Sequence, residues 1–377
     1  MKQLDAKPNY RTATTRQERH ILLFSDAAPE RNGAGAYYWD LSYHLNELGH
    51  SARLICPGIP GSRWDGRIRI PLPGDSTQRV VIPPLTRVLR YAGRRTPDAI
   101  VVATPGPYGL LGMNLAQRLG VRLVVGFHTS FQRVTGLYWN RLFNTLTNWY
   151  FGTCDRLLFR RADVVVANSD DMAALARGLG APDIKIIGTP LPEAYISEPP
   201  PLRRNGPLEV VFAGRLAAEK NVLSIVEAAA ECPEFRFRIA GHGPLSHTIA
   251  RKADSLPNLE SLGWLSRERL RKLLDTADLL VLPSHVEAFG TVALEGMARA
   301  RNVLVSANCG ILEWPQLKRG LFQFLEDEDL AGALRRIAGL DIAFRQEKAR
   351  LARKAALTLH EETLQDWLEL LHASDAD

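Results

Sequence analysis

Two short stretches of the chain place charged side chains of opposite sign directly after apolar runs. Arg215 and Lys220 follow the run 208–213, which is typical of a buried strand, and Glu287 and Glu295 follow a second run of the same kind. Cations at the end of one strand and carboxylates at the end of another suit a ligand that carries both phosphates and hydroxyls. A nucleotide-diphosphate sugar is such a ligand.

A helix is predicted to begin at Gly290 and Thr291, because apolar residues recur at helical spacing from 292 to 298. Glu287 then lies in the loop before this helix, and Glu295 lies inside it. The free N–H groups of the helix's first turn form an anion site. Glu287 is placed to accept hydrogen bonds from sugar hydroxyls, and Glu295 to bind the two hydroxyls of a ribose. The alternative is a capped surface helix with solvated glutamates, which we rank lower because an unpaired carboxylate in the apolar stretch would be costly.

The motifs of this chain resemble those of a known enzyme family. The chain is similar to the retaining GT-B glycosyltransferases of family 4, whose signature is a glutamate, seven residues and a second glutamate, here Glu287 and Glu295. The resemblance covers nearly the whole chain and is closest in appearance to the glycolipid-forming members. Five motifs carry it in the family's order: residues 25–55, GFHTSF (126–131), GRLAAEKN (214–221), IAGHGP (239–244) and the stretch 283–298.

The resemblance implies an α/β protein of the GT-B fold, with two Rossmann-like doubly wound domains that face a cleft. A length of 377 residues agrees with two domains. Strand-like runs alternate with helical segments such as 36–48 and 108–119, which predicts parallel sheets. The strand-like runs are 19–25, 51–56, 99–103, 122–127, 164–168 and 184–187 in the first half, and 208–213, 235–240, 259–262, 279–282 and 302–306 in the second.

Four segments are expected along the chain. An acceptor-binding Rossmann-like domain spans 18–190, and a linker rich in proline and polar residues spans 191–207. A nucleotide-sugar-binding Rossmann-like domain spans 208–357. Residues 358–377 include an amphipathic stretch. The resemblance implies that this segment forms a C-terminal helix, which returns to the first domain.

The resemblance also implies roles for individual residues. Arg215 and Lys220 match the family's diphosphate-binding cations, which stabilise the charge that develops on the leaving group. The chain shows no DxD-like metal pair in a suitable loop, so no metal or other cofactor is expected. The catalytic residues are expected to be His128, Arg215, Lys220 and Glu287. The donor-binding residues are expected to be Gly33, Gly35, Gly214, Arg215, Lys220, Gly241, Trp264, Glu287, Ala288, Phe289, Gly290 and Glu295.

Several of these positions have a structural alternative. His128 could donate to a sugar hydroxyl or position the acceptor, or it could be a strand-end histidine with a structural hydrogen bond. Trp264 could stack on the nucleobase or serve packing. The family usually has adjacent glycines near its first strand, whereas Ala34 separates Gly33 from Gly35 here. The family often reads glycine-x-proline after the second glutamate's helix, where this chain has Ala300-Arg-Asn302.

Positive charge is concentrated in one part of the chain. The formal net charge is +6, yet residues 79–161 alone hold twelve arginines, two aspartates and no lysine or glutamate, which gives +10. Arginine with interfacial aromatics suits an anionic membrane surface, whereas a solvated basic face with core aromatics is the alternative. Nucleic acid is not expected as a partner, because no nucleic-acid module is visible. The candidate membrane-binding residues are Arg87, Arg90, Arg94 and Arg95, and the aromatics are Tyr138, Trp139, Phe143, Trp149, Tyr150, Phe151 and Phe159.

The leading hypothesis is therefore a retaining, metal-independent glycosyltransferase with a nucleotide-diphosphate sugar donor, UDP-linked, and a membrane lipid acceptor such as diacylglycerol. A soluble sugar or polysaccharide acceptor is the enzymatic alternative. A non-catalytic nucleotide-sugar or nucleic-acid binding protein is the alternative of another class. No signal peptide or long apolar segment is visible, so we expect a cytoplasmic protein, peripheral on the inner face of the plasma membrane.

Overall fold

Strands and helices alternate along the chain in both of its halves. The computed structural model describes residues 17–29, 33–59, 61–72, 75–128, 141–202 and 207–373. In the first half the elements are β1 (His20–Phe24), α1 (Gly33–Glu47), β2 (Ser51–Ile55), β3 (Arg69–Leu72), β4 (Asp75–Val81), α2 (Leu85–Ala92), β5 (Ala99–Val102), α3 (Pro107–Leu119), β6 (Arg122–Phe127), α4 (Arg141–Phe159), β7 (Val164–Ala167), α5 (Asp170–Gly178) and β8 (Ile184–Ile186).

A short helix, α6 (Glu193–Ile196), follows in the segment between the halves. The second half consists of β9 (Glu209–Ala213), the 3₁₀ turn Ala218–Lys220, α7 (Leu223–Glu231), β10 (Arg236–Ala240), α8 (Ser246–Ala253), β11 (Leu259–Gly263), α9 (Arg267–Thr276), β12 (Leu279–Leu282), α10 (Thr291–Ala298), β13 (Asn302–Val305), the 3₁₀ turn Gly310–Glu313, α11 (Pro315–Lys318), β14 (Phe322–Gln323), α12 (Leu330–Ala338) and α13 (Ile342–His372).

Each half is built on a six-stranded parallel sheet. The strand order is β2-β1-β5-β6-β7-β8 in the first sheet and β11-β10-β9-β12-β13-β14 in the second. In both orders the chain winds outward in two directions from the first strand of the half, so loops after neighbouring strands open into a crevice at the strands' carboxyl ends. The prediction of two doubly wound α/β halves is confirmed.

The cores explain why the strands could be read from the sequence. β12 and β13 are buried along their whole length, because helices cover both faces of a parallel sheet and its central strands become continuous apolar runs. The hairpin of β3 and β4 was missed by the sequence analysis, as was the two-residue β14. β3 and β4 pair antiparallel and stand outside both large sheets.

The last helix contacts both halves. α13 runs without a break through the expected boundary between 357 and 358. Its Leu359 packs in the core of the second half, whereas its Trp367 packs in the core of the first. The Trp367 indole N–H donates to the hydroxyl of Tyr37 on α1 at 2.7 Å. The helix therefore ties the two halves together.

Candidate functional site

A cleft of about 1960 Å³ separates the two halves and collects the strand-end loops of both sheets. From the first half it is lined by residues that follow β1, β5 and β6, and from the second half by residues that follow β9, β10 and β12. The residues Gly33, His128, Gly214, Arg215, Lys220, Gly241, Trp264, Glu287, Ala288, Phe289, Gly290 and Glu295 all line it. The structure thus brings together residues that the sequence analysis assigned separately.

Lys220 and Glu287 form an ion pair inside this cleft. Lys220 ends the 3₁₀ turn after β9, and its Nζ donates to Glu287 Oε2 at 2.5 Å. Burial alone would lower the pKa of Lys220, but the charge and hydrogen bond of Glu287 raise the pKa above its ordinary value. Lys220 therefore stays protonated, and a fixed cation stands beside the loop that precedes α10.

Two glycines allow the loops after β9 and β10 to touch. A Cβ on Gly241, which has a φ of +148°, would come within 1.8 Å of the Gly214 carbonyl oxygen. The Gly214 N–H donates to the Ala240 carbonyl at 3.0 Å. The next residue, Arg215, reaches the cleft with its Nη1 3.7 Å from Glu219 Oε1. The glycines therefore fix where the Arg215 side chain begins.

The N-terminus of α10 opens toward the first half. Gly290 precedes the helix with a φ of +97°, a conformation that favours glycine. A Cβ on Gly33 would lie 3.3 Å from the Thr291 hydroxyl, so the start of α1 faces the start of α10. Gly33 and Gly35 belong to the first turn of α1 itself, whereas the helical segment predicted from the sequence began at residue 36.

Glu295 is a buried carboxylate in the first turns of α10. It is 6% exposed, and among the described residues none donates a hydrogen bond to it. Burial raises its pKa to about 7, with Arg267 opposing the rise and Asp40 adding to it. A carboxylate in such a place gains hydrogen bonds when a ligand with hydroxyl groups enters the cleft.

His128 follows β6 and belongs to a cluster of three rings. Its Nε2 lies 2.7 Å from the Tyr38 hydroxyl, and its ring centroid lies 4.4 Å from that of Tyr37. Burial lowers the pKa of His128 to about 3, so the ring is neutral at physiological pH. Its Nδ1 has no partner among the described residues.

Sequence reasoning missed two residues that hold this histidine. Tyr38 is one of them, and Gly126 is the other, because a Cβ there would lie 1.6 Å from the Tyr38 hydroxyl oxygen. Gly126 belongs to the GFHTSF motif, so the sequence could have indicated that a small residue is needed next to His128. Tyr38 carries no such signal, since it is one aromatic among several on α1.

Trp264 lies at the cleft, whereas the four arginines of the expected membrane surface do not. Trp264 follows β11, lines the cleft and is 52% exposed, so its ring is accessible to a ligand. The four arginines of the expected membrane surface are exposed and lie away from the cleft lining, on α2 and just after it: Arg87, Arg90, Arg94 and Arg95.

The aromatics of the same segment divide between core and surface. Phe159 is fully buried in the first core, whereas Trp149 is 66% exposed. Tyr150 and Phe151 line the cleft. Tyr138, Trp139 and the side chain of Phe143 lie outside the described residues. In the part of the chain that the structure describes, each helix is too short or too polar to traverse a bilayer.

Two family models match the chain, one in each half. "Glycosyltransferase Family 4" matches residues 31–192, and "Glycosyl transferases group 1" matches residues 197–352. A fold with two doubly wound halves around such a cleft defines the class of GT-B glycosyltransferases. The chain belongs to glycosyltransferase family 4, a family of retaining enzymes.

Curated relatives match parts of the chain. A glycogen synthase of Mycobacterium tuberculosis is 32% identical over 209 residues, 52% of this chain and 50% of that protein. The sulfoquinovosyl transferase SQD2 of Arabidopsis thaliana is 24% identical over 313 residues, 78% of this chain and 60% of that protein. A GDP-mannose-dependent phosphatidylinositol dimannoside mannosyltransferase of M. tuberculosis is 34% identical over 146 residues, 37% of this chain and 38% of that protein. The chain spans 38–60% of these relatives' lengths.

Solved structures share the whole fold at low sequence identity. The sucrose-phosphate synthase of Thermosynechococcus elongatus superposes with a TM-score of 0.73 at 18% identity, covering 95% of this chain and 100% of that one. The Anabaena protein HepE, solved in complex with UDP-glucose, gives a TM-score of 0.62 at 16% identity, covering 95% of this chain and 99% of that one. These similarities confirm the GT-B fold.

Proposed function

We propose that this chain transfers a sugar from a UDP-linked donor, with retention of configuration, to a hydroxyl of a membrane lipid such as diacylglycerol. The observation that carries the proposal is the Lys220–Glu287 ion pair, which stands in the cleft beside Arg215 and the N-terminus of α10. Two fixed cations and a set of free backbone N–H groups match the charge of a leaving nucleoside diphosphate.

In this mechanism the donor diphosphate binds between Arg215, Lys220 and the start of α10. The bond between the anomeric carbon and the β-phosphate oxygen breaks, and a bond to the acceptor oxygen forms on the same face. The acceptor's proton passes to the leaving phosphate oxygen. Glu287 accepts hydrogen bonds from the sugar, and Glu295 binds the ribose. The neutral His128 forms a hydrogen bond with a sugar hydroxyl from the other side of the cleft.

No step of this mechanism requires a metal ion, since Arg215, Lys220 and the helix N-terminus meet the diphosphate charge. The donor assignment is supported by the fold shared with HepE, which was solved with UDP-glucose. The lipid acceptor is supported by the relative named for a phosphatidylinositol dimannoside and by the exposed surface of α2. There Leu85 and Leu89, 50% and 41% exposed, stand among arginines.

A soluble acceptor is the second candidate. It is favoured by the relative named a glycogen synthase and by the structural similarity to a sucrose-phosphate synthase. The two candidates share the donor site and differ only in what enters the cleft from the first half. A third hypothesis is a non-catalytic nucleotide-sugar binding protein. It predicts that the protein binds the nucleotide sugar without releasing the nucleotide.

One experiment separates these candidates. The protein is incubated in EDTA with UDP-glucose, UDP-galactose, UDP-glucuronate or GDP-mannose, together with anionic vesicles that contain dioleoylglycerol, or with maltooligosaccharides or fructose 6-phosphate. Nucleotide release and mass spectrometry of the products are the readouts. We expect a glycosylated diacylglycerol from a UDP-sugar. Products from the soluble sugars alone would favour the second candidate, and nucleotide binding without release from any donor would overturn the enzymatic proposal.

As part of the same proposal, the protein acts at the inner face of the plasma membrane as a peripheral protein. Arg87, Arg90, Arg94 and Arg95 would contact anionic head groups, while the exposed leucines of α2 would enter the headgroup layer.

A further inference from the structure

Asp155 is a buried carboxylate on the wall of the cleft opposite the cations. It lies on α4, it is 6% exposed, and it lines the cleft. Phe151 and Leu158 stand one turn before and one turn after it and also line the cleft. A single acidic side chain therefore interrupts an apolar helix face, where a carboxylate without hydrogen bonds is costly.

Other buried carboxylates of the first half are used within the protein. Asp26 accepts hydrogen bonds from the Thr104 hydroxyl at 2.7 Å and from the Tyr108 N–H at 2.8 Å. Asp40 accepts two hydrogen bonds from Arg267. These side chains have structural roles that explain their burial.

Asp155 has no such partner among the described residues. Burial alone raises its pKa to about 7, and no neighbouring charge or hydrogen bond adds to or opposes the shift. His128, which lines the same cleft, is neutral and supplies no compensating charge. A carboxylate that is largely buried, lines the cleft and has no partner among the described residues is available to accept a hydrogen bond from a hydroxyl group that enters the cleft.

We propose that Asp155 is an acceptor-binding residue, whose carboxylate accepts a hydrogen bond from a hydroxyl of the acceptor's head group and selects neutral head groups over phosphorylated ones. This inference rests on the proposed transfer reaction, because it assigns the acceptor side of the same cleft. A glycerol or sugar hydroxyl donates a hydrogen bond to the carboxylate, whereas a phosphate brings a second negative charge next to it.

The test measures binding and does not depend on turnover. The protein is saturated with UDP at pH 8, where Asp155 is mostly ionised, and titrated in a calorimeter with 1-octanoylglycerol or with 1-octanoylglycerol 3-phosphate, each below its micellar concentration. We expect wild type to prefer the neutral ligand by at least about tenfold, the effect of one unfavourable charge contact of ~1.4 kcal/mol.

Two substitutions separate the hydrogen bond from the charge. Asp155→Ala should weaken binding of octanoylglycerol by about tenfold or more, as the loss of a hydrogen bond to a charged group does. Asp155→Asn keeps the shape and should abolish the discrimination against the phosphorylated ligand. Asp170→Asn removes the same charge from an exposed position of the same half and should retain the discrimination. UDP affinity should be unchanged in all three variants, since the donor cations lie in the other half.

The inference is overturned if Asp155→Asn retains the wild-type preference, or if wild type shows none, including the case in which neither ligand binds. Failure of the proposed function has a different signature. A protein that releases no nucleotide from any donor, yet shows a preference that depends on Asp155, would remove the transfer reaction and leave the binding role of this residue.

Discussion

Arg267 and Asp40 form a bidentate ion pair between the two halves. Arg267 begins α9 in the second half, and its two terminal nitrogens lie 2.7 and 2.5 Å from the carboxylate oxygens of Asp40 on α1. Burial would lower the pKa of Arg267, but the hydrogen bond and charge of Asp40 raise it. The pair also lies near Glu295, whose pKa responds to both partners. It therefore connects the arrangement of the halves to the electrostatics of Glu295 and of the proposed donor site.

This ion pair should contribute measurably to stability. Asp40 is 8% exposed as a side chain and Arg267 is 24% exposed, so solvent screens the pair only in part. A double-mutant cycle with Asp40→Asn and Arg267→Gln should give a coupling energy of about 1–3 kcal/mol in urea denaturation.

The same helix supplies a matched control. Glu268 and Lys272 form an ion pair whose side chains are 71% and 64% exposed. Solvent screens such an exposed pair, so its coupling energy should be small. A coupling energy for Asp40 and Arg267 no larger than that of the control would mean that this ion pair does not help to hold the halves together.

Lys220 and Arg215 should be required for turnover. Replacing either by alanine removes a cation that is proposed to meet the charge of the leaving diphosphate, and such a loss should lower kcat by roughly 10²-fold or more. Steady-state kinetics with a UDP-sugar at saturation provide the measurement. Both variants should stay folded, because both side chains lie in the cleft lining and not in the apolar cores.

Lys252→Ala is the control for this comparison, because Lys252 is exposed on α8 and does not line the cleft. Its kcat should equal that of wild type. Near-normal turnover of Lys220→Ala at saturating donor would remove Lys220 from the mechanism.

Glu295 should lower the free energy of unfolding at neutral pH, although its proposed role is to bind the nucleotide. Burial raises its pKa from 4.5 to about 7, so the folded state binds this proton more tightly than the unfolded state. Its contribution to the free energy of unfolding therefore falls as pH rises from about 4.5 to about 7, and the loss reaches about 3 kcal/mol above that window. Glu295→Gln removes this loss, so it should stabilise the protein more at pH 8 than at pH 5 in urea denaturation.

The same substitution should weaken UDP binding in calorimetry, because the proposed partner of Glu295 is the ribose. Glu287→Gln is the comparison, since its proposed partner is the sugar. That variant should lose transfer while UDP affinity stays mostly intact. Equal losses of UDP affinity in both variants would contradict the division of roles between the two glutamates.

Local patterns allowed most of the strands to be predicted, together with the charged residues in the loops after them. β6 and β12 have the predicted bounds, because an apolar run of a few residues between turns is enough to predict a buried strand. Lys220 and Glu287 could be placed near strand ends for the same reason, since Lys220 lies in the segment after β9 and Glu287 in the loop after β12. Contacts between distant residues were not predictable. Arg267 and Asp40 are separated by 227 positions, and Tyr38 and His128 by 90.

Burial of single polar residues was equally hard to foresee. In the sequence, Asp155 is simply one of two aspartates in the arginine-rich segment 79–161. Its burial depends on how α4 packs beside the cleft, and the sequence pattern does not indicate that packing. The arginines of α2 illustrate the converse, since their exposure agrees with the sequence pattern while the partner of that surface stays a prediction.

Ala300→Gly should stabilise the protein without changing its activity. Ala300 follows α10 with a φ of +50°, and its N–H donates to Met297 while the next N–H donates to Gly296, the pattern of a helix end that favours glycine. A left-handed conformation costs a non-glycine residue about 1–2 kcal/mol, and the extra freedom of glycine in the unfolded chain offsets about half of this. Thermal unfolding should show a gain of about 0.5–1 kcal/mol.

The same turn provides the control for this substitution. Ala298 is the last residue of α10 and is fully buried, so Ala298→Gly should destabilise the protein, since glycine at a helical position costs about 1 kcal/mol relative to alanine. Equal destabilisation by both substitutions would show that the turn after α10 does not hold Ala300 in this conformation.

The arginines around α2 should bind anionic membranes. Arg87, Arg90, Arg94 and Arg95 are exposed, and an arginine near an anionic surface contributes about 1 kcal/mol. Replacing all four by serine should lower binding to anionic vesicles by at least about tenfold and change binding to neutral vesicles little. UDP affinity should be unaffected, because the proposed donor-binding cations Arg215 and Lys220 lie in the other half. Vesicle sedimentation over a salt series is the measurement.

A charge-matched control separates position from net charge. Arg251, Lys252, Arg269 and Lys318 are exposed in the second half, and replacing them by serine removes the same four charges from a surface that is not proposed to meet the membrane. Binding of wild type should weaken as salt rises, since charges are screened over about 10 Å at about 0.1 M. If both quadruple variants lose equal affinity, the attraction reflects net charge alone. If binding ignores lipid charge and salt altogether, the arginines form an ordinary solvated face, and a soluble acceptor becomes the better explanation of the open cleft.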